Sequence, residues 1–236
     1  MKKVSFVIPS FNCAAYLPHA VKSCLDQSYK NIEVVIVDDC STDTTGDYLN
    51  WLAKQEDKRI KIIRNSENVG RSESRNIGNR AATGDIICVL DADDLAVATR
   101  AEWTIKKMKS GTKVIFGSAV VMDALGNASH ELTAKPINKK TAIEKRENGI
   151  VHSTMAYTKE IASKYPYASG DICRLGVDDW HFQTRLMNDG IDFDFIPDII
   201  CAYRVTGAGI SQTRNPEEVM KAKEAVIEGM KLEAVK

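Results

Sequence analysis

Asp91-Ala92-Asp93-Asp94 gathers three carboxylates within four residues, directly behind the apolar run from Asp85 to Leu90. Left alone, carboxylates this close repel one another. A hard divalent cation removes the repulsion by taking their oxygens together with those of a phosphate ligand. All-oxygen ligation suits Mg2+ or Mn2+ better than Zn2+, and no Cys or His cluster in the chain has zinc spacing. The competing reading is mechanical: Asp93 or Asp94 caps the next helix and the other acids are solvated.

Further groups stand behind other apolar runs. Pro9-Ser10-Phe11-Asn12 offers an aromatic face for a base, and Asp38-Asp39 offers carboxylates for ring N–H groups or ribose hydroxyls. Asp38-Asp39 reads equally as a helix cap or an exposed pair, and Phe11 as core. In Asn68 to Asn76, Arg71 and Arg75 could reach a phosphate or a structural carboxylate. Gly176-Val177-Asp178-Asp179-Trp180 opens a helix, where two acids complement the helix dipole and need no further role. His19, His130, His152 and His181 have no paired spacing and read as structural or solvated.

The elements that must position these groups follow from the apolar pattern. Val4 to Pro9, Ile32 to Asp38, Ile60 to Arg64 and Asp85 to Leu90 are short runs rich in Val and Ile, separated by helix-length segments. That alternation predicts β-α-β units and a largely parallel buried sheet. Leu17, Ala20, Val21, Cys24 and Leu25 give the first helix an apolar face, and Leu49, Leu52 and Ala53 the second, which Ser41, Thr42 or Asp43 can cap. Right-handed crossovers bring the strand ends to one rim, where open α/β sheets bind ligands. Val114 to Val121 is a further strand, and Lys135 to Asn148 is polar and partly helical. Val151 to Tyr157, Asp178 to Asn188, Phe193 to Ile196 and Ile199 to Tyr203 then alternate strand and helix. Asn215-Pro216-Glu217-Glu218 starts a last helix with a stripe of Val219, Ala222, Val226, Ile227 and Met230.

Composition narrows the class. Lys and Arg number 32 against 32 Asp and Glu, so no basic field recommends nucleic acid as a partner. No apolar run approaches the roughly 18 to 20 residues that span a bilayer. Met1-Lys2-Lys3 leads into a strand-like run rather than a signal peptide's core, so a cytosolic protein is expected. Peripheral contact with the inner face of a membrane and homo-oligomerisation stay open. The six cysteines form no framework and are expected to be reduced and mostly buried. The 236 residues are read as one domain.

Val4 to Asn12, Val37 to Asp43, Asn68-Val69-Gly70 with Ser74-Arg75-Asn76, and Leu90 to Asp94 resemble, in order and spacing, the family 2 glycosyltransferases. Asp178-Asp179-Trp180 and Tyr203-Arg204 extend the likeness more loosely. The resemblance implies a GT-A fold: one Rossmann-like α/β domain whose mostly parallel sheet is flanked by helices, with a C-terminal helix. It further implies a nucleotide-sugar-binding half over 1–117, an acceptor half over 118–211, and the helix over 212–236. It implies a nucleotide-diphosphate-sugar donor, with a UDP-sugar preferred, a saccharide or lipid-linked saccharide acceptor, Mn2+ or Mg2+, and inversion at the anomeric carbon.

Carried over, Asp39 becomes the base-recognising carboxylate and Phe11 stands where a Tyr often stacks. Asp93 and Asp94 become metal ligands, with Asp91 and Ala92 lining the diphosphate site, and Asp179 becomes the catalytic base. Pro9, Arg71, Arg75, Asp178, Trp180 and Arg204 join the substrate site, Arg204 with the Gly207 to Ser211 loop as a cover. Thr206, where relatives often carry His, is assigned no contact. Two rivals remain: a nucleotidyltransferase, for which Ser10-Phe11-Asn12-Cys13 lacks a Gly- and Lys-rich phosphate loop, and a silent nucleotide-binding protein of the same fold.

Overall fold

The computed structural model describes residues 1–108, 111–168, 170–174, 176–207, 213 and 215–233. The first half consists of the expected units: β1 (Val4–Ser10), α1 (Leu17–Leu25), β2 (Ile32–Asp38), α2 (Thr45–Ala53), β3 (Ile60–Arg64), α3 (Arg71–Ala81) and β4 (Ile86–Val89). These strands run parallel in the order β3-β2-β1-β4, with Val4 opposite both Ile32 and Ile86. Their carboxyl ends therefore share one rim.

Strand alternation sorts the core onto two faces. Phe6, Ile8, Val34 and Ile36 meet Leu17, Val21, Leu49 and Leu52 from α1 and α2 on one side. Val7, Val35, Val37 and Val89 face the opposite side. Each such buried side chain contributes about 1.5–3 kcal/mol. Helix α3 sits so close to the sheet that a Cβ on Gly78 would fall 2.4 Å from Val7 Cγ1. Ala53, expected on the apolar face of α2, is exposed, because the helix ends there and turns toward solvent. Asp43 receives the Thr45 N–H at 2.9 Å, so it satisfies the first turn of α2 from one residue before the cap, Thr44.

Beyond the acidic loop come β5 (Leu95–Ala96), α4 (Arg100–Met108), β6 (Val114–Met122), β7 (Ala128–Leu132), α5 (Lys139–Glu144), a 3-10 turn (His152–Thr154), β8 (Ala156–Thr158), α6 (Lys159–Lys164), α7 (Asp171–Arg174), α8 (Asp178–Asn188), β9 (Phe193–Arg204) and α9 (Pro216–Glu233). Among the described residues the sheet continues β4-β8-β6-β9-β5, with β7 on β6, to nine strands. Strand β8 is antiparallel to β4 and β6, whereas β9 is parallel to β6.

Two expectations change here. Val151 to Tyr157 is not one strand, since a 3-10 turn precedes a short β8. The runs Phe193 to Ile196 and Ile199 to Tyr203 form one strand interrupted by a register shift, where Ser118 Oγ donates to Pro197 O at 2.7 Å. Ala222 and Val226 of α9 are buried, and Val219 and Ile227 are half-buried, as the stripe predicts; the Met230 side chain lies outside the described residues. The five described cysteines are free, with Cys24, Cys88 and Cys201 buried. Among the described residues no helix is long and apolar enough to cross a membrane.

Candidate active site

The rim loops are laced together before any ligand is considered. Asn12, in a left-handed turn after β1, accepts the Thr42 N–H at 2.8 Å through its side-chain oxygen and donates its own N–H to Ser41 Oγ at 2.9 Å. Asp39 follows β2 and is buried. Its Oδ1 accepts from Val69 N at 2.9 Å and Asn65 Nδ2 at 2.8 Å, and its Oδ2 from Gly70 N at 2.8 Å. Gly70 has φ 86°, which only glycine adopts at no steric cost, so the Asn68-Val69-Gly70 motif is a cradle for this carboxylate. Three donors occupy three of its roughly four lone-pair positions. A base could use only what remains. Phe11 is 47% exposed on the same rim, whereas Pro9 is a buried strand residue opposite Val37.

The acidic loop divides into distinct roles. Ala92 is buried in the core and offers only its backbone. Asp91 accepts from Arg75 Nη2 at 2.6 Å, and its N–H donates to Ser153 Oγ at 3.1 Å. Burial pushes the Asp91 carboxyl up, but Arg75 and more distant cations outweigh it and hold the group below the usual range. Asp93 is half-buried, and burial together with the charge of Asp91 raises its carboxyl to about 6. Asp94 is fully buried. Its Oδ1 accepts the Arg204 N–H at 2.8 Å, and burial followed by the charges of Asp93 and Asp91 drives its carboxyl well up. Of the expected pair of metal ligands, Asp93 is half-buried, and Asp94 is fully buried with Oδ1 on the backbone of β9 and Oδ2 without a hydrogen-bond partner among the described residues. Among the described residues no three His, Cys, Asp or Glu side chains converge to hold an ion. A cation here would need phosphate oxygens to complete its shell, which suits the reluctance of Mg2+ to accept an all-protein cage.

Asp178 and Asp179 begin α8 and are pulled in opposite directions. Asp178 is fully buried, with Arg71 Nε donating to its Oδ1 at 2.9 Å and Arg75 Nη1 to its Oδ2 at 2.8 Å. Burial raises the Asp178 carboxyl, but Arg75 and Arg71 together win and hold it low. Asp179 is half-buried and accepts the Trp180 N–H at 2.6 Å; burial, then the charge of Asp178, raises it. It lines a cavity of about 510 Å3 with Asn148, Val151, Val177, Trp180, Gln183 and Lys223.

Four residues expected at the substrate site have partners within the chain. Asp178 is sealed behind two arginines, and Arg75 bridges Asp178 to Asp91 with its side chain 4% exposed. Arg71 is committed to Asp178, though a quarter of its side chain remains exposed. Arg204, expected in a cover, is buried: its Nε donates to Asp93 O at 2.8 Å and its Nη1 to Asp123 O and Ala124 O, each at 3.1 Å. The Arg204 guanidinium also lies 4.8 Å from the Tyr16 ring centre. Residues 208–211 of the expected cover lie outside the described residues.

Sequence reasoning missed several supports. Ser153 fixes the backbone of Asp91. Arg100, fully buried, donates to Val89 O at 2.7 Å and pins the end of β4 just before the acids. His152 is buried between Gln183 and Tyr167, with ring contacts at 3.2 and 3.0 Å. Burial, then Arg75, lowers its pKa to about 3, so it is neutral. An isolated Arg, Ser or His carries no periodic or motif signal, and only the folded arrangement reveals these partners.

The chain belongs to glycosyl transferase family 2, whose model matches residues 5–165. An uncharacterized glycosyltransferase of Methanocaldococcus jannaschii is 30% identical over 208 residues, covering 86% of this chain and 70% of that protein. The UDP-Glc:alpha-D-GlcNAc-diphosphoundecaprenol beta-1,3-glucosyltransferase WfaP of Escherichia coli is 40% identical over 116 residues, 49% of this chain and 45% of that one. S. aureus TarS 1-349, solved in complex with UDP-GlcNAc, is similar with a TM-score of 0.72 at 17% identity, covering 95% of this chain and 65% of that chain; the likeness concerns the fold. The chain spans 45% to 70% of the length of these curated relatives.

Proposed function

We propose that this chain is an inverting glycosyltransferase, dependent on Mn2+ or Mg2+, that moves a hexose from a UDP-sugar to a hydroxyl of a saccharide or lipid-linked saccharide in surface polysaccharide or other glycan synthesis. The observation that carries the reading is the pair at the start of α8. Asp178 is held ionised by two arginines, and its neighbour Asp179 faces a cavity with its carboxyl raised. Adjacent carboxylates pushed apart in this way mark a structural partner and a general base.

Asp179 takes the proton of the acceptor hydroxyl as that oxygen forms its bond to C1 of the sugar. The bond from C1 to the diphosphate breaks on the opposite face, and UDP leaves with the electron pair. Asp93, raised to about 6 beside Asp91, is the carboxylate whose repulsion a cation relieves. A divalent ion held by Asp93 and the donor's phosphate oxygens would neutralise charge on the departing diphosphate. Phe11 gives an open aromatic face on the donor rim. The lipid-linked acceptor is supported by the name of the WfaP relative, and the UDP donor by that name and the ligand of the TarS complex.

The test is transfer from a panel of UDP-sugars to GlcNAc-diphosphoundecaprenol in excess Mn2+, with Asp179→Asn beside the wild type. A positioned base is worth roughly 10² to 10⁴-fold, so the variant should lose about that much turnover with calorimetric UDP affinity unchanged. Near wild-type turnover in the variant sinks Asp179 as the base. Failure of the wild type to bind UDP sinks the donor.

A further inference from the structure

The cavity beside Asp179 has a wall that the reaction above leaves without a role. Val219 and Lys223 of α9, one helical turn apart and so on one face, both line it. The helix is fixed there by buried Ala222 and Val226 and by an ion pair of 3.1 Å between Arg146 and Glu224. Lys223 Nζ donates to Arg146 O at 2.9 Å and lies 5.4 Å from the Trp180 ring centre. Burial pulls the Lys223 ammonium's pKa down, while Asp179 and then Glu147 draw it up.

The lining has two characters. Val151, Val177 and Val219 line it together with Trp180, whereas Glu147, Asp179 and Lys223 bring charged hydrogen-bonding groups; the Asn148 and Gln183 amides also line it but are bonded to each other at 2.6 Å. A rigid ring with an apolar face and a polar rim matches that division, and a pyranose is such a ring. An ammonium has three donors, of which Arg146 O takes one, leaving capacity for ligand hydroxyls.

We propose that α9 forms a wall of the acceptor pocket and that Lys223 binds the acceptor's saccharide ring, orienting it against Trp180 so that a hydroxyl meets Asp179. The inference rests on the reading of Asp179 as the base. It makes α9, outside the residues matched by the family model, a determinant of acceptor specificity.

Saturation-transfer NMR tests it with the methyl glycosides of glucose, galactose, N-acetylglucosamine and N-acetylgalactosamine, on the full chain with UDP and Mn2+. The wild type binds at least one of the four. Lys223→Met weakens that binding at least tenfold, Lys223→Arg keeps it within about threefold, and Lys221→Met, an exposed lysine on the same helix, leaves it unchanged. Val219→Glu, which retains Lys223 but alters the same wall, also weakens it. UDP affinity and melting temperature are followed for each variant. Unchanged glycoside binding in Lys223→Met, or no binding of any glycoside by the wild type, overturns the proposal. Loss of UDP binding by the wild type alone counts against the donor reading and leaves the glycoside result standing.

Discussion

At the scale of single residues, the site works by giving neighbouring carboxylates unlike surroundings. Asp178 and Asp179 are adjacent in sequence, yet Arg71 and Arg75 close on the first and leave the second facing the cavity. The pH dependence follows from the direction of each shift. A base must be ionised, and Asp179 is raised by burial and then by Asp178. Turnover at saturating donor and Mn2+ should therefore fall as pH drops, with unit slope and a midpoint above the ordinary aspartate value of about 3.9. A profile flat down to pH 4 would remove Asp179 from that role. The sequence showed which acids stand on the rim, but could not say which are spoken for. Asp39, Asp94 and Asp178 look as available as Asp93 and Asp179 in the one-dimensional pattern. Each has at least one carboxylate oxygen bonded by a partner from elsewhere in the chain: Gly70, Arg204 and the α3 arginines.

At the scale of elements, the parallel half was readable because buried strands and one-sided helices leave strong periodic signals, and β1 to β4 fall within a residue or two of expectation. The second half was readable only in part: Val114 to Val121 and Asp178 to Asn188 coincide with β6 and α8 to within a residue, but other strands there are short or broken. Strand β8 has three residues, and β9 carries its irregularity at Pro197, where no N–H exists to continue the ladder. What joins the halves is the end of β9. Arg204 bonds three backbone carbonyls, one in the acidic loop and two in the turn after β6, while its own N–H serves Asp94. Arg204→Ala removes those bonds from a buried site and should destabilise the protein by about 2–4 kcal/mol, read from the denaturant midpoint. UDP affinity in the folded fraction should change little. The reverse pattern, full stability with weakened UDP binding, would restore Arg204 to the diphosphate.

At the scale of the whole molecule, a buried polar chain runs behind the site and makes acid stability a test of the architecture. Asn148 donates to Gln183 at 2.6 Å, Gln183 contacts His152, His152 contacts Tyr167, and Tyr167 meets Tyr157 at 3.1 Å. The Gln183 amide can donate to His152 Nδ1 only if that nitrogen is bare, which leaves Nε2–H to donate to Tyr167; the ring is then neutral, as its lowered pKa requires. Unfolding frees the imidazole to bind a proton at its ordinary value near 6.5, whereas the folded value is about 3. Stability from this group is thus full above pH 6.5 and is lost as pH falls toward 3, at up to about 1.4 kcal/mol per pH unit. His181, lowered to about 4 by burial and then Arg185, acts in the same window but is partly exposed and counts for less. Glu33 acts lower. Burial raises it, and hydrogen bonds from Lys3, Ser5 and Thr83 overcome that to hold it at about 2, so its contribution is lost only below its unfolded value near 4.5. Between pH 6.5 and 4.5 the raised carboxyls of Asp93 and Asp94 work the other way, because the fold binds their protons first, so the His152 contribution is read as a difference: in urea titrations the wild type should lose stability relative to His152→Asn by up to about 1.4 kcal/mol per pH unit. An unchanged slope in the variant would mean that His152 is not the buried neutral link between the cavity beside Asp179 and the tyrosines.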